Sequence, residues 1–351
     1  MGREAQSYDW IIGILLILLC VIGLFLLLTI DYNLFQQQFL FFGLGICVYL
    51  ILSRIHHLYL IWSAPLAYIV GLLFLLLSYL GPTIRGASRW IVVFGYQLQP
   101  SEIVKPFFLL FFAWLIEKFP PRQAKYVPLH LLAFLIPFLL IFKQPDLGTS
   151  IVYASMWISM LIAAGLSLKL LVGAIISQIL ILPLIWQFLV QYQKLRILTF
   201  LNPALDPKGA GYNALQAMIA VGSGRLTGRG LGRGTQSHLR FLPEFHTDFI
   251  FATLIEELGF LGGMVLLFCY AFLLYRILTA AWKNSDSLFA FVFSIGLFTM
   301  LMTQLFINSG MNMGIVPITG ITLPLVSYGG SSLLSLAISF ALFHALTRPQ
   351  T

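Results

Sequence analysis

Charge is the scarcest commodity in this chain. Only 9% of its 351 residues are Asp, Glu, Lys or Arg, and just 12 are acidic. A water-soluble domain carries about a quarter charged residues, so composition alone excludes that class. Cysteine is nearly missing as well. Cys20, Cys47 and Cys269 each lie inside an apolar run, which leaves neither a disulfide framework nor metal-ligand spacing. The six histidines form no zinc pattern, and no glycine-rich loop ends in the Lys-Ser/Thr of a nucleotide-binding P-loop. No small-residue cleavage site follows the first apolar run, which is too long for a signal-peptide core and reads as a retained span. The formal charge of +8 comes from basic residues scattered over loops. Membrane orientation and anionic lipid account for it, and no nucleic-acid partner is expected.

What the chain has instead is hydrophobicity, at 60% of residues and a mean hydropathy of +0.95. Apolar runs of about 20 residues cross a bilayer as helix. Ten spans are expected, at 10–30, 34–52, 58–80, 103–116, 128–142, 147–168, 170–190, 249–275, 288–307 and 318–346. The chain therefore reads as all-α, a polytopic integral membrane protein forming one domain over 1–351. Its single long polar segment, 191–247, is expected as an extracellular loop between the seventh and eighth spans. The fourth and fifth spans are short for a crossing and read as partly re-entrant. Pro324 and Gly329-Gly330 predict an entry loop or broken helix in the tenth. One set of loops and ends holds Arg3, Arg54, Lys118, Arg122, Lys125, Lys169, Arg276, Lys283 and Arg348. The opposite short loops hold only Arg85, Arg89, Lys105 and Lys143. Nine against four places both termini in the cytoplasm and the polar motifs on the outer face of the cytoplasmic membrane.

Ionisable groups are rare, so their clustering matters. Phe241-Leu-Pro-Glu-Phe-His-Thr-Asp-Phe-Ile-Phe251 sets Glu244, His246 and Asp248 just before an apolar run that contains Glu256 and Glu257. Ionisable groups at membrane helices are functional candidates by default. Upstream, residues 222–234 form a glycine-arginine run whose backbone N–H groups, with Arg225, Arg229 and Arg233, would suit a diphosphate; a flexible loop is the alternative. Glu102 and Lys105 lie one helical turn apart, which permits a local ion pair, or leaves Lys105 to meet an anionic headgroup. Asp146, in Gln144-Pro-Asp146, precedes a helix and reads as its N-cap. Glu256 and Glu257 cannot both share a face with Asp248, so one points elsewhere, for instance to an arginine.

Gln99-Pro-Ser-Glu-Ile-Val-Lys105, Gln144-Pro-Asp-Leu-Gly-Thr149, Phe241 to Phe251 and Pro324-Leu-Val-Ser-Tyr-Gly-Gly-Ser331 together resemble the SEDS family (shape, elongation, division and sporulation). The likeness runs over essentially the whole chain. Gly234-Thr-Gln-Ser237 leading into Arg240-Phe-Leu-Pro resembles the rod-shape branch rather than the division branch. The resemblance implies a peptidoglycan glycosyltransferase that polymerises lipid II during cell-wall elongation and releases undecaprenyl diphosphate. It marks Asp248 as the catalytic carboxylate, the base for the acceptor 4-hydroxyl. Arg89, Glu102, Lys105, Asp146, Arg229, Arg233, Glu244, His246 and Ser327 are the expected substrate-binding set. A divalent cation, Mg2+ or Mn2+, could assist at the diphosphate, although the sequence shows no dedicated cage and no metal ligands are assigned. A class B penicillin-binding protein is implied as the transpeptidase partner, with other membrane proteins of the elongation complex. Gly259, Gly262, Gly263, Ser294 and Gly296 offer candidate contact surfaces. The rival reading is a lipid II flippase, which broken helices and intramembrane carboxylates would also suit.

Overall fold

A computed structural model describes residues 9–82, 89–93, 95–167, 169–170, 172–173, 186–187, 189, 191–202, 205–206 and 209–348. Thirteen helices are named here in chain order: α1 (Trp10–Ile30), α2 (Tyr32–Leu52), α3 (His57–Leu77), α4 (Pro100–Ile103), α5 (Lys105–Lys118), α6 (Val127–Lys143), α7 (Leu147–Ala163), α8 (Gln191–Leu201), α9 (Ala210–Ser223), α10 (Thr235–His238), α11 (Ile250–Lys283), α12 (Leu288–Asn312) and α13 (Gly330–Thr347). A short antiparallel hairpin, β1 (Ile91–Val93) with β2 (Tyr96–Leu98), is the only sheet among the described residues. The all-α expectation holds.

Among the described residues seven helices are long and apolar enough to cross a membrane, and Leu147–Ala163 is a shorter apolar one. The ten expected spans are therefore not all accounted for, and most of the expected seventh, 170–190, falls outside the described residues. The fifth is not short, because a 3-10 turn extends it to Ala124–Lys143. The fourth starts earlier than expected, at Pro100, and is interrupted at Val104. Pro106 has no N–H to give the Glu102 carbonyl, and its ring crowds that carbonyl, which explains the interruption. The tenth does not begin at 318: residues 313–329 are irregular and the helix starts at Gly330. Pro317 and Pro324, with Gly314, Gly320 and Leu325 all at positive φ, exclude helix there. The long polar segment is not structureless either, since α8, α9 and α10 lie within it.

Helix ends follow from local chemistry. Asp31 alone separates α1 from α2, and its carboxylate accepts from the Asn33 N–H at 2.8 Å, capping the second helix as the first ends. Asp146 caps α7 through the Thr149 N–H at 3.1 Å, as the sequence suggested. α13 is 72% buried along its apolar window and α2 only 17%, so α13 with α12 forms the centre while α2 is peripheral. Phe108, Phe112, Tyr153, Phe293 and Phe340 fill the core between them. Peripheral apolar side chains such as Trp62 and Phe268 are exposed, as a lipid-facing surface requires. The small-residue surfaces are internal except at Gly262, which is half-buried. A Cβ on Gly296 would stand 2.5 Å from Leu109 Cδ2 and 2.9 Å from Met160 Sδ, and Gly259, Gly263 and Ser294 are buried.

The bundle has two distinct ends. α1 and α11 run antiparallel. At one end Arg276 Nη2 meets Asp9 Oδ2 at 2.6 Å, and at the other Thr29 Oγ1 lies 3.5 Å from Glu257 Oε2. Some 20 helical residues separate these ties, a rise of about 30 Å, the depth of a hydrocarbon core. The end marked by Thr29 and Glu257 collects the polar motifs.

Candidate functional site

Asp248 lies one residue before the N-cap of α11, half-buried, and its backbone is held from α12. Asn308 and Asn312, one turn apart and fully buried, donate their Nδ2 groups to the Asp248 carbonyl at 2.9 and 3.1 Å. Asn312 Oδ1 also accepts the Ala252 N–H at 3.0 Å, and Asn308 Nδ2 reaches the Ile321 carbonyl at 2.7 Å. Two amides in an apolar helix are costly unless satisfied, and here most of their capacity fixes the mouth of α11. The preceding residues are held from the 324–331 motif. Ser327 Oγ donates to the Thr247 carbonyl at 2.6 Å while accepting the Leu323 N–H, and the Tyr328 N–H donates to the His246 carbonyl at 2.9 Å. The His246 ring packs edge-on against Tyr328. Thr247 Oγ1 donates to Glu244 Oε2 at 3.1 Å, closing a tight turn in which Glu244 takes a φ of 53°.

Gly320, at φ 79°, passes close to the Asp248 side chain. A Cβ there would stand 3.4 Å from Asp248 Oδ2 and 3.9 Å from Arg196 Nη1. One glycine thus marks a point shared by the carboxylate and a guanidinium carried on α8. Arg196 also lines a cavity of about 40 Å³ with Met311 and Ile318. Sequence reasoning missed Arg196, because it sits in a segment read as loop. It also missed Asn312, for which two amides at helical spacing in an apolar run were the available signal.

The other motifs gather at the same end. Asp146 Oδ2 accepts from Gln99 Nε2 at 2.8 Å and faces Arg89 Nη1 at 3.6 Å. The Gln99 N–H donates to Ser331 Oγ at 2.9 Å, which ties this cluster to the 324–331 motif. Ser327 in that motif touches Thr247, so all four motifs form one continuous polar network. Gln38 on α2 braces it, donating to the Ser327 carbonyl and accepting from the Gly329 N–H, while Tyr328 donates to Gln37 Oε1. Burial, with Tyr96 nearby, pushes the Tyr328 phenol up, so it remains a donor through neutral pH.

Lys105 makes the ion pair that the sequence left open. Its Nζ lies 2.6 Å from Glu102 Oε1, and Lys105 is only 1% exposed, so its ammonium is directed to Glu102. The glycine-arginine run differs from expectation. Its backbone is not an open anion cradle: the Arg229 and Gly230 N–H groups donate to the Glu256 and Glu257 carbonyls, and the Gly232 N–H donates to Glu257 Oε2. The Arg229 and Arg233 side chains are exposed beyond it, with Arg229 Nη1 donating to Thr235 Oγ1. Nor, among the described residues, does either glutamate turn to an arginine; both accept from residues 232–238. Among the described residues no three His, Cys, Asp or Glu side chains converge into a metal cage, in keeping with the absence of a dedicated cage in the sequence.

A polytopic helical membrane protein with a half-buried carboxylate and flanking cations at one bundle end is the class that fold and site define. The family model described as cell cycle protein, FtsW/RodA/SpoVE, matches residues 7–351, and the chain belongs to that family. It is 39% identical over 316 residues to peptidoglycan glycosyltransferase MrdB of Escherichia coli (strain K12), covering 89% of this chain and 85% of that protein. It is 35% identical over 362 residues to stage V sporulation protein E of Bacillus subtilis (strain 168), covering 95% of each. Among solved structures, a chain of a peptidoglycan synthase complex described as coordinating polymerization and crosslinking superposes with a TM-score of 0.83. That match has 30% identity and covers 98% of each chain. The rod shape determining protein RodA of Thermus thermophilus gives a TM-score of 0.75 at 28% identity, covering 99% of each chain.

Proposed function

We infer that this chain is a peptidoglycan glycosyltransferase that polymerises lipid II into β-1,4-linked glycan during cell-wall elongation. The observation that carries the reading is the convergence of the four separated motifs into one network around Asp248. In the proposed reaction the acceptor 4-hydroxyl oxygen attacks the donor's anomeric carbon while the bond to the lipid diphosphate breaks. The proton passes to the Asp248 carboxylate, and the bonding electron pair leaves on the diphosphate. An α-linked donor becomes a β-linked glycan in one displacement, so no covalent sugar intermediate forms. Diphosphate is a good leaving group and needs no general acid. Its developing charge needs cations, and Arg196, beside Asp248 at Gly320, supplies one; Arg89 lies in the network beyond.

The site end faces outward in this reading and both termini are cytoplasmic. The excess of lysine and arginine in the loops at the Asp9–Arg276 end supports that orientation. A polymerase at the outer face requires a cross-linking transpeptidase. The match to a chain of a synthase complex that coordinates both activities supports a class B penicillin-binding protein as partner. Purified protein supplied with lipid II alone should form glycan. Asp248→Asn and Asp248→Ala should both reduce it by about 10²–10⁴-fold, the usual contribution of a positioned base. Near-normal turnover by the asparagine variant would rule out the base role. Glycan-free flipping of lipid II by the wild type would instead favour the transporter.

A further inference from the structure

The helix α11 is broken, and the break is mended from outside. Gly259 takes φ 72° and ψ −171°, which separates residues 250–258 from 260–283. Such a break strands carbonyls before it and N–H groups after it. Residues 225–230 replace both sets. The Arg229 and Gly230 N–H groups donate to the carbonyls of Glu256 and Glu257 at 2.9 and 3.0 Å. The Phe260 and Leu261 N–H groups donate to the carbonyls of Arg225 and Leu226 at 2.9 and 3.1 Å. The glycines of the run are there for approach: a Cβ on Gly228 would stand 2.1 Å from the Glu257 carbonyl oxygen, and one on Gly224 2.0 Å from that of Ile255.

The two side chains at the break do something further. Glu256 and Glu257 are completely buried, and among the described residues no lysine or arginine forms a salt bridge with either. Glu256 Oε1 accepts from the Gln236 N–H at 2.9 Å and from Thr235 Oγ1 at 3.1 Å, and its Oε2 accepts from Ser237. Glu257 Oε2 accepts from the Gly232 N–H at 3.1 Å, and its Oε1 lies 2.8 Å from His238 Nε2. Burying a carboxylate is unfavourable unless several donors converge on it, so each acid tolerates only a narrow set of loop conformations. Residue 239 follows at once, and the chain then runs to Thr247, whose carbonyl is held by Ser327, and Asp248, whose carbonyl is held by Asn308 and Asn312.

We propose that Glu256 and Glu257 are positioning residues, clipping residues 232–238 to the broken helix and so fixing the segment 239–248 that presents Asp248. They do not touch the substrate; they define where the base stands. The inference rests on the assignment of Asp248 above, and the test separates the two.

Amide hydrogen exchange and lipid II polymerisation should be followed together in Glu256→Gln, His238→Ala and His238→Gln proteins. Glu256→Gln turns one acceptor into a donor facing Ser237. Amides of 239–247 should then exchange about tenfold faster or more, while α12 keeps its protection. The kcat should fall about tenfold with KM within about twofold, since the base is misplaced but the binding groups are not. His238→Gln keeps a donor for Glu257 and should recover most of what His238→Ala loses. Unchanged exchange at 239–247, or an equal rise in every helix, would overturn the proposal, as would a change in KM alone. If the wild type forms no glycan while the exchange pattern appears as described, the clip stands and the enzymatic reading falls.

Discussion

The two polar stretches flanking α10 are held by opposite means. Residues 224–234 are secured through their backbone, which exchanges hydrogen bonds with a broken helix at distances only glycine permits. Residues 244–248 are secured mostly by side chains of other elements: Asn308 and Asn312 from α12, and Ser327 from the segment before α13. Both stretches look alike in sequence, as charge and turn formers in an apolar chain. They should respond differently to mutation. A backbone-held loop is intolerant of added atoms and indifferent to its side chains, whereas a loop held by side chains depends on particular amides and hydroxyls.

The sharpest way to break this contrast is a single methyl group. Gly228 combines a φ of 81° with a Cβ position 2.1 Å from a carbonyl oxygen, so Gly228→Ala meets both backbone strain and overlap. A cost of at least about 3 kcal/mol is expected, with loss of monodisperse protein in detergent. Gly222→Ala, six residues earlier with nothing within 4 Å, should behave as wild type in the same thermal unfolding. Equal behaviour of the two would dismiss the backbone splice.

Outside both stretches, the ion pair of α4 and α5 shows the same dependence on particular side chains: Lys105→Ala strands the buried Glu102 carboxylate and should cost about 3–5 kcal/mol. The double change Glu102→Gln with Lys105→Gln should recover most of that stability. If it also recovers polymerisation, Lys105 serves the fold; if stability returns without activity, its charge serves the substrate. A smaller loss is expected for Asn312→Leu. It removes the bonds to the Asp248 carbonyl and the Ala252 N–H, at about 1–3 kcal/mol, and should slow glycan formation more than it weakens lipid II binding.

Much of this was legible in the sequence. Hydropathy located the long helices, Asp146 announced its cap, and Pro324 with Gly329-Gly330 announced irregular chain before α13. Those signals are local, carried by residues within a turn or two of their effect. The Gly259 break was illegible, because a glycine in a membrane helix has many uses and its φ depends on a loop about thirty residues upstream. The same limit hid Arg196, whose meaning comes from lying across Gly320 from Asp248. It also misdirected the reading of the glycine-arginine run: composition fits an anion cradle, and only the fold reveals that the donors are already engaged.

The smallest expected effect tests that last point. Arg229 and Arg233 are exposed, and Arg229 gives one hydrogen bond to Thr235, while the backbone of the run is engaged whatever side chains it carries. Exposed polar contacts of this kind contribute well under about 1 kcal/mol. Arg229→Ala with Arg233→Ala should therefore leave stability unchanged and alter kcat/KM for lipid II by no more than about threefold. Arginines that grip a diphosphate behave otherwise: their loss raises KM tenfold or more, with a marked dependence on salt. Initial rates at two ionic strengths decide between these outcomes. A large, salt-sensitive rise in KM would return the run to the substrate site and end the contrast between its backbone and its side chains.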